Sequence, residues 1–387
     1  MKSIVCGRFY DKYIIARRSG SDRAAVISKE VFDVLSRLSA EDANIPNQLV
    51  VFLRKLGVSI EPSQRINDVM HTMPLTELFF GSASYEITER CNYQCRHCVL
   101  GDKKATRELS VIEKRQLIET IRSAGCMYLR ITGGEPLLAS GFKDTYSLAC
   151  SLGMLVKVQT NGSLLSERKK QRIFEDCPPY KIVISFYGGS RESYQSLTRT
   201  PGSFECFLGA VEWLKKSGIL VKANIIITQY NEHEIDEMVD MTKEAGFEYF
   251  IYPKLTPTFQ GDPAPIDLKA QSCSVMEEID RYNQESILAG RKDKGYEGCL
   301  AGKAFFHVAR DGKAAICQTV RKNYVNLLEE GVNGLLRLAK ISKGILTRSG
   351  NCIICEYNET CSTCPPNLEL FQEAGRIPYY ICKKYGS

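Results

Sequence analysis

The chain has 387 residues, 44% apolar and 25% charged. That is room for two or three domains in an ordinary globular composition, which excludes a disordered protein. Its 51 basic and 45 acidic side chains leave a net charge of +6, with no basic stripe or aromatic platform to argue for nucleic acid. No apolar run approaches the ~20 residues that cross a bilayer, and the opening MKSIVCGRFYDKYIIARR lacks a signal peptide's apolar core. A cytoplasmic location without a membrane partner is expected.

Residues 1 to 62 read as a small unit. Two short strands, FYDKYIIARR and AAVIS, precede a helix capped by Ser28 with an apolar face of Val31, Phe32, Leu35 and Leu38. A second helix opens at Pro46 and carries Leu49, Val50, Leu53 and Leu56 before Gly57. Residues 63 to 76 read as a linker, so the first domain is placed at 1–76. From Ser84 to Leu255 strands and helices alternate, the mark of a parallel sheet with crossover helices. The candidate strands are SYEIT, MYLRIT, MLVKVQT, KIVISFY, ILVKANIIIT and FEYFIYPKL. Ser110 with Glu113 forms a capping box, Ser203 precedes a helix ending near Gly218, and Asn231 with Glu234 opens another ending near Gly246. Six such repeats predict a partial barrel or an open doubly wound sheet, with ligands at the carboxyl ends of the strands. This second domain is placed at 77–290. The remainder, 291–387, reads as loop-rich with little apolar periodicity, and a poor core of that size calls for a metal staple.

Sixteen cysteines in a reducing compartment point to metal or cluster ligation wherever they bunch. Cys6, Cys126, Cys150, Cys177, Cys206 and Cys273 stand alone and read as small core residues. The loop CNYQCRHC after the first barrel strand offers Cys91, Cys95 and Cys98, and three thiolates on a cubane leave one iron without a protein ligand. Zinc completed by His97 is the bland alternative. It would crowd four ligands into one loop, whereas zinc modules draw pairs from separated segments. The second group comprises Cys299, Cys317, Cys352, Cys355, Cys361, Cys364 and Cys382. A zinc ribbon could use four of these, but seven overfill one tetrahedral site and underfill two.

The C-x3-C-x2-C spacing at 91 to 98, followed by GGEP at 133 to 136 after the second strand, resembles the radical S-adenosylmethionine (SAM) superfamily. The resemblance implies an α/β fold, a partial (β/α)6 TIM-like barrel. It also implies a [4Fe-4S] cluster on Cys91, Cys95 and Cys98 that binds SAM and cleaves it to a 5'-deoxyadenosyl radical. Gly133, Gly134 and Glu135 would meet the SAM amine through backbone carbonyls and a close turn. By the same positional match Thr160, Asn161 and Ser185 would contact SAM or its ribose, and His97 stands where an aromatic residue often packs against the adenine. The C-terminal spacing resembles the SPASM extension, a loop-rich iron-sulfur domain found on radical SAM enzymes that modify peptides and proteins. It implies two auxiliary [4Fe-4S] clusters, an outer one on Cys352, Cys355, Cys361 and Cys382 and an inner one on Cys299, Cys317 and Cys364. Cys364 comes one residue earlier than the usual spacing. Either Cys273 completes the inner cluster, or an iron stays open to a substrate thiolate; the open site is the favoured expectation, and with it thioether products.

The N-terminal unit resembles, in element order and size, the winged-helix recognition element that binds leader segments of ribosomally made precursor peptides. The whole reads as a radical SAM peptide maturase that abstracts hydrogen from a precursor peptide to form a thioether or carbon-carbon crosslink, with a reductant such as flavodoxin or ferredoxin. The competing expectations are a sulfatase-maturase-like formylglycine-generating oxidase, a small-molecule radical SAM dehydrogenase, and a zinc-ribbon binding protein.

Overall fold

The computed structural model describes residues 2–61, 64–78, 80–101, 108–286, 299–320, 322–348, 350–359, 361 and 363–384, apart from the side chains of Cys273, Glu285 and Ser286. It opens with β1 (Ile4–Phe9), β2 (Lys12–Arg17) and β3 (Ala24–Ile27), then α1 (Lys29–Ala40) and α2 (Asn47–Lys55). Ser28 caps α1 by accepting the Val31 N–H at 3.4 Å. Residues expected to form only a linker are structured: α3 (Ile66–Val69) leads into β4 (Met70–Thr72), which pairs parallel with β1. Val69 and Met70 supply apolar surface that the unit's core needs, which is why this stretch folds back. The sheet order is β3-β2-β1-β4. One face packs Ile4, Cys6 and Ile15 against Phe32, Leu35, Val50 and Leu53 of the helices. The other face turns Val5 and Ala16 into the main core with Met73 and Met127, and Phe9 meets Tyr128 edge to face at 5.9 Å.

The central body runs β5 (Ser82–Glu86), α4 (Val111–Ser123), β6 (Tyr128–Thr132), α5 (Phe142–Ser151), β7 (Leu155–Thr160), α6 (Arg168–Asp176) and β8 (Lys181–Phe186). It continues with α7 (Arg191–Thr198), α8 (Ser203–Ser217), β9 (Val221–Ile226), α9 (Ile235–Glu244), β10 (Glu248–Tyr252) and α10 (Cys273–Ser286). The capping box at α4 is present: the Glu113 N–H bonds Ser110 Oγ at 3.2 Å, and the Ser110 N–H bonds the Glu113 carboxylate at 2.7 Å. All six strands are parallel and neighbour one another in chain order, the expected α/β partial barrel. Leu129, Ile131, Val156, Val158, Ile182 and Ile184 pack with α4 residues Leu117, Ile118 and Ile121 in one core. Strand alternation therefore turns Arg130, Lys157, Gln159, Lys181 and Ser185 to the concave inner face.

The C-terminal part differs from its loop-rich expectation. β11 (Phe305–Val308) pairs parallel with β5, and β12 (Lys313–Ala315) and β13 (Val325–Asn326) continue antiparallel, so the sheet reaches nine strands. A 20-residue helix follows, α11 (Leu327–Leu346), then α12 (Pro365–Glu373). In α11 Leu335 and Leu338 are fully buried in the main core. Gly331 departs from helical geometry within α11, and that kink interrupts the periodicity a sequence reading looks for.

Candidate functional site

The site begins where β5 ends. Thr88 and Arg90 both donate to Glu108, Arg90 at 2.8 Å, and Glu108 also accepts the Ser140 N–H at 3.1 Å. Burial opposes the charge on Glu108, but the Thr88, Ser140 and Arg90 bonds together with the buried Lys114 ammonium outweigh it and hold its pKa low. This carboxylate clamps the shoulder of the cysteine loop to the start of α4 and to the turn before α5. On the other shoulder Glu89 pairs with Arg310, tying the loop to the hairpin of β11 and β12.

Cys91, Cys95 and Cys98 are half-buried. Cys91 Sγ accepts the Tyr93 N–H at 3.4 Å and the Asn161 amide at 3.8 Å, while the chain turns back through Cys98 N–H to Cys95 carbonyl at 3.2 Å. All three thiols act electrostatically on one buried side chain, Tyr187. Burial first, then Cys95, with Cys91 and Cys98 adding, push the Tyr187 hydroxyl well above its ordinary range, against a hydrogen bond involving Ser185. Tyr187 also meets His97, ring to ring at 5.2 Å. Through Tyr187 the fold therefore brings His97, Ser185 and the three cysteines together. Among the described residues no three Cys, His, Asp or Glu side chains close tightly enough to hold a single metal ion; a four-iron cluster asks for wider spacing, each thiolate binding a different iron. Three thiols, a Cys91 sulfur receiving two N–H bonds and a clamped loop fit such a cluster.

The GGEP turn lies directly against this loop. The Gly134 N–H bonds the Thr88 carbonyl and the Glu135 N–H the Arg90 carbonyl, both at 2.8 Å. A Cβ on Gly133 would stand 2.2 Å from the Thr88 oxygen, and one on Gly134 2.3 Å from the Arg90 oxygen, so both positions need glycine. Glu135 is fully buried. Its carboxylate accepts the Thr160 hydroxyl at 2.8 and 2.9 Å, the Asn161 N–H at 2.8 Å and the Leu137 N–H at 3.1 Å. Burial pushes its pKa up to about 7 against those bonds. The Glu135 side chain is thus spent on bracing the β7 turn, leaving backbone groups of the GGE turn for a ligand. Asn161 continues the brace, bonding Asn92 at 3.0 Å and accepting the Ser163 hydroxyl at 2.6 Å, while Asn92 reaches Ser163 at 2.8 Å.

Asn92, Ser163, Tyr187 and Glu108 were not among the residues read from sequence. Tyr187 was readable as an aromatic two positions after Ser185 at the end of β8; the others are common turn residues whose meaning depends on register.

The C-terminal cysteines fall into two sets. Cys364 caps α12; burial raises its thiol pKa, and Cys317 and Cys299 add to the rise. Cys352 is likewise raised by burial and then by Cys382, Cys355 and Cys361, with Arg348 opposing. Cys299 and Cys317 thus lie within electrostatic reach of Cys364, and Cys355, Cys361 and Cys382 within reach of Cys352. The backbone of Cys273 starts α10, but its side chain lies outside the described residues. Of the isolated cysteines, Cys6, Cys126, Cys150 and Cys177 are buried, and Cys206 is partly so.

A second surface lies on the N-terminal unit. There β3 pairs with β2 alone among the described strands, and beside it runs an apolar groove lined by Val26, Val31, Val34, Leu38, Leu49 and Phe52. Val26 is 66% exposed and Val34 43%.

Residues 85–242 match the family model described as the radical SAM superfamily. By sequence, the chain is 26% identical over 314 residues to the AdoMet-dependent heme synthase of Methanosarcina barkeri, covering 73% of this chain and 90% of that protein. It is 26% identical to the mycofactocin maturase MftC of Mycolicibacterium smegmatis, covering 58% and 55%. By structure, it is similar to Streptococcus suis SuiB bound to precursor peptide SuiA, with TM-score 0.66 and 13% identity, covering 95% of this chain and 96% of that one. That share is too large to leave out the N-terminal unit. The similarity to anSMEcpe with bound AdoMet covers 78% of this chain and 97% of that one, with TM-score 0.55 and 14% identity.

Proposed function

We propose that this chain, a radical SAM enzyme through its domain at residues 85–242, matures a ribosomally made precursor peptide. It would abstract a hydrogen atom from an unactivated carbon of the peptide and form a thioether or carbon-carbon crosslink, the second electron passing to an auxiliary cluster and the second proton to solvent. The observation that carries the peptide reading is the edge strand β3 with its open groove of Val26, Val31, Val34 and Phe52. An extended leader segment adds to such an edge through backbone hydrogen bonds while its side chains fill the groove. The similarity to SuiB across the whole chain supports the same reading.

Cys91, Cys95 and Cys98 would hold the cluster that binds SAM; together these supply the one-electron cleavage that starts the reaction. Backbone groups of Gly133, Gly134 and Glu135 would take the SAM amino group, Thr160, Asn161 and Ser185 would face its ribose end, and His97 with Tyr187 would pack on its adenine. Cys299, Cys317 and Cys364 would hold an inner auxiliary cluster, and Cys352, Cys355, Cys361 and Cys382 an outer one. The residues' own work is to orient the target carbon and exclude water, which the enclosed ring of Tyr187 and the buried Glu135 brace favour. A flavodoxin or ferredoxin would deliver the electron. The domains would be 1–76 for recognition, 77–290 for the barrel and 291–387 for the auxiliary clusters.

Sequence similarity to the heme synthase over 90% of that protein favours a second reading, a small-molecule substrate in the same barrel. Replacing Val31 and Val34 with Glu in the reconstituted enzyme separates the two, since both side chains are exposed. The peptide reading expects processing of a leader-bearing precursor encoded beside this gene to fall at least tenfold, with 5'-deoxyadenosine formation unchanged. Equal processing by the variant would overturn it.

A further inference from the structure

Arg18, immediately after β2, carries a charge from the N-terminal unit into the barrel. Its backbone stays with the N-terminal sheet, the N–H donating to the Ser3 carbonyl at 3.0 Å, while its guanidinium donates from Nη2 to Cys177 Sγ at 3.9 Å. The side chain is buried, 4% exposed. Among the described residues Cys177 is the one side chain it meets in a hydrogen bond. Asp22, four residues along, is exposed and forms no ion pair with it. His71 supplies no anion either, since burial and the charges of Lys2, Arg18 and Arg122 lower its pKa to about 4 and keep it neutral. A buried guanidinium without a counter-charge is costly, and the group placed to supply that charge is the Cys177 thiol.

A second thiol adjoins it. Cys177 ends α6, and Cys150 lies on α5 one turn after Tyr146, on the same helix face. The Tyr146 hydroxyl donates to the Cys177 carbonyl at 2.5 Å, which draws that face of α5 onto the end of α6. A hydrogen bond from Cys150, with the charge of Arg18 and then Tyr146 adding, lowers Cys177 to about 7 against the cost of burial. The same bond and burial push Cys150 well above its ordinary range. One proton is thus held on Cys150 and a negative charge on Cys177, beside the cation. Both cysteines are reduced, and neither belongs to the groups assigned to clusters.

We propose that Cys150 and Cys177 form a thiol–disulfide pair at the junction of the N-terminal unit and the barrel, and that closing it releases Arg18. The oxidant is a low-molecular-weight disulfide. Cys177 is the attacking sulfur, because it is the thiolate of the two and keeps 8% exposure against 2% for Cys150. Its thiolate displaces one thiolate from the small disulfide and becomes a mixed disulfide. Cys150 then attacks the Cys177 sulfur and expels the second small thiol, which leaves with the Cys150 proton. Two electrons pass from the pair to the small disulfide. The sulfur facing Arg18 is now neutral, and the buried guanidinium has lost its counter-charge. The junction it ties is weakened as a result. In a reducing compartment a disulfide of this kind is transient, made and unmade with the thiol pool.

The test treats the full-length, cluster-loaded enzyme with bis(2-hydroxyethyl) disulfide under anaerobic conditions, blocks remaining thiols with iodoacetamide, and digests with trypsin without reduction. Mass spectrometry is expected to find residues 144–157 joined to 173–181 through Cys150 and Cys177, with the iron content unchanged. In C150S the reaction should stop at a mixed disulfide on Cys177. Closure in the unaltered enzyme should speed up with pH through about 7 and then level off, and R18Q should slow it at least threefold at pH 7. Amide exchange of residues 2–18 should rise at least tenfold on closure, with that of α8 changed less than twofold. Absence of the joined peptides, or an adduct on Cys150 in place of Cys177, overturns the pair without depending on any variant of Arg18. A rate that keeps rising into the ordinary thiol range near ~8.5 overturns the thiolate held by Arg18. Closure with unchanged exchange in residues 2–18 overturns the release of the junction.

Discussion

Cys91, Cys95 and Cys98 are proposed to act together, each sulfur binding a different iron. Changing all three to Ala is expected to abolish 5'-deoxyadenosine formation while leaving most of the iron on the seven C-terminal cysteines; undiminished cleavage in that variant would remove the proposed cluster site. Glu135 makes a prediction of a different kind. Its pKa, raised from 4.5 to about 7, means that the folded chain holds a proton there over a range where the unfolded chain does not. The stability from this group is therefore full below pH 4.5 and is lost as pH rises through 7. Between pH 5 and pH 8 the wild type should lose about 2–3 kcal/mol relative to Glu135→Gln in the SAM-free protein. Parallel stability curves for the two would show that the three donors around the carboxylate, and not its burial, govern its charge. Neither the brace nor its titration could be read from GGEP alone. The motif announces the turn, but the Thr160 and Asn161 donors come from another strand.

The barrel strands were legible in sequence because each is a short apolar run between a helix end and a cap, and the parallel pairing follows from their alternation with helices. Two elements escaped for opposite reasons. β4 is three residues of a stretch rich in turn formers, made a strand only by pairing with β1, and α11 is long but kinked at Gly331. The basic residues on the inner face of the barrel were half legible. MYLRIT, MLVKVQT, KIVISFY and ILVKANI each carry a basic residue amid apolar ones, yet only the register shows that these line up across strands. Lys157 is held at a cost to folding. With its pKa lowered to about 8, keeping it charged at pH 7 works against folding, and that cost disappears as pH rises from 8 to its ordinary 10.5. Lys157→Met is thus expected to stabilise the protein by about 1–3 kcal/mol at pH 7, with the gain shrinking toward pH 10. A destabilised variant in chemical denaturation would mean that the contacts with Tyr128 and Tyr180 outweigh the desolvation.

At the scale of the molecule, apolar burial is distributed very unevenly. The central core runs without interruption from Val5 and Ala16 of the N-terminal sheet through the barrel to Leu335 and Leu338 of α11. Removing the N-terminal unit would uncover part of this core, which makes point changes in the groove a cleaner test of recognition than truncation. The segment from Gly350 to the C-terminus is held differently. Among the described residues, its buried hydrophobic side chains are Leu370, Phe371 and Ile381, of which Phe371 and Ile381 form a small cluster with Ile266, and Ile353 and Ile354 are 60% and 81% exposed. A segment of that length with so small a core depends on ligation for its order, and the proposed outer set of Cys352, Cys355, Cys361 and Cys382 spans nearly all of it. Changing Cys352 and Cys355 to Ala should therefore make residues 350–384 sensitive to limited proteolysis under anaerobic conditions while the barrel stays resistant, with SAM cleavage kept to within a few-fold. The same digestion of unaltered enzyme, before and after iron chelation, provides the internal comparison, because chelation should reproduce the variant's pattern. A C-terminal segment that resists protease equally in all three samples would show that α12 and its small apolar cluster hold it without a metal, and the outer set would lose its structural role.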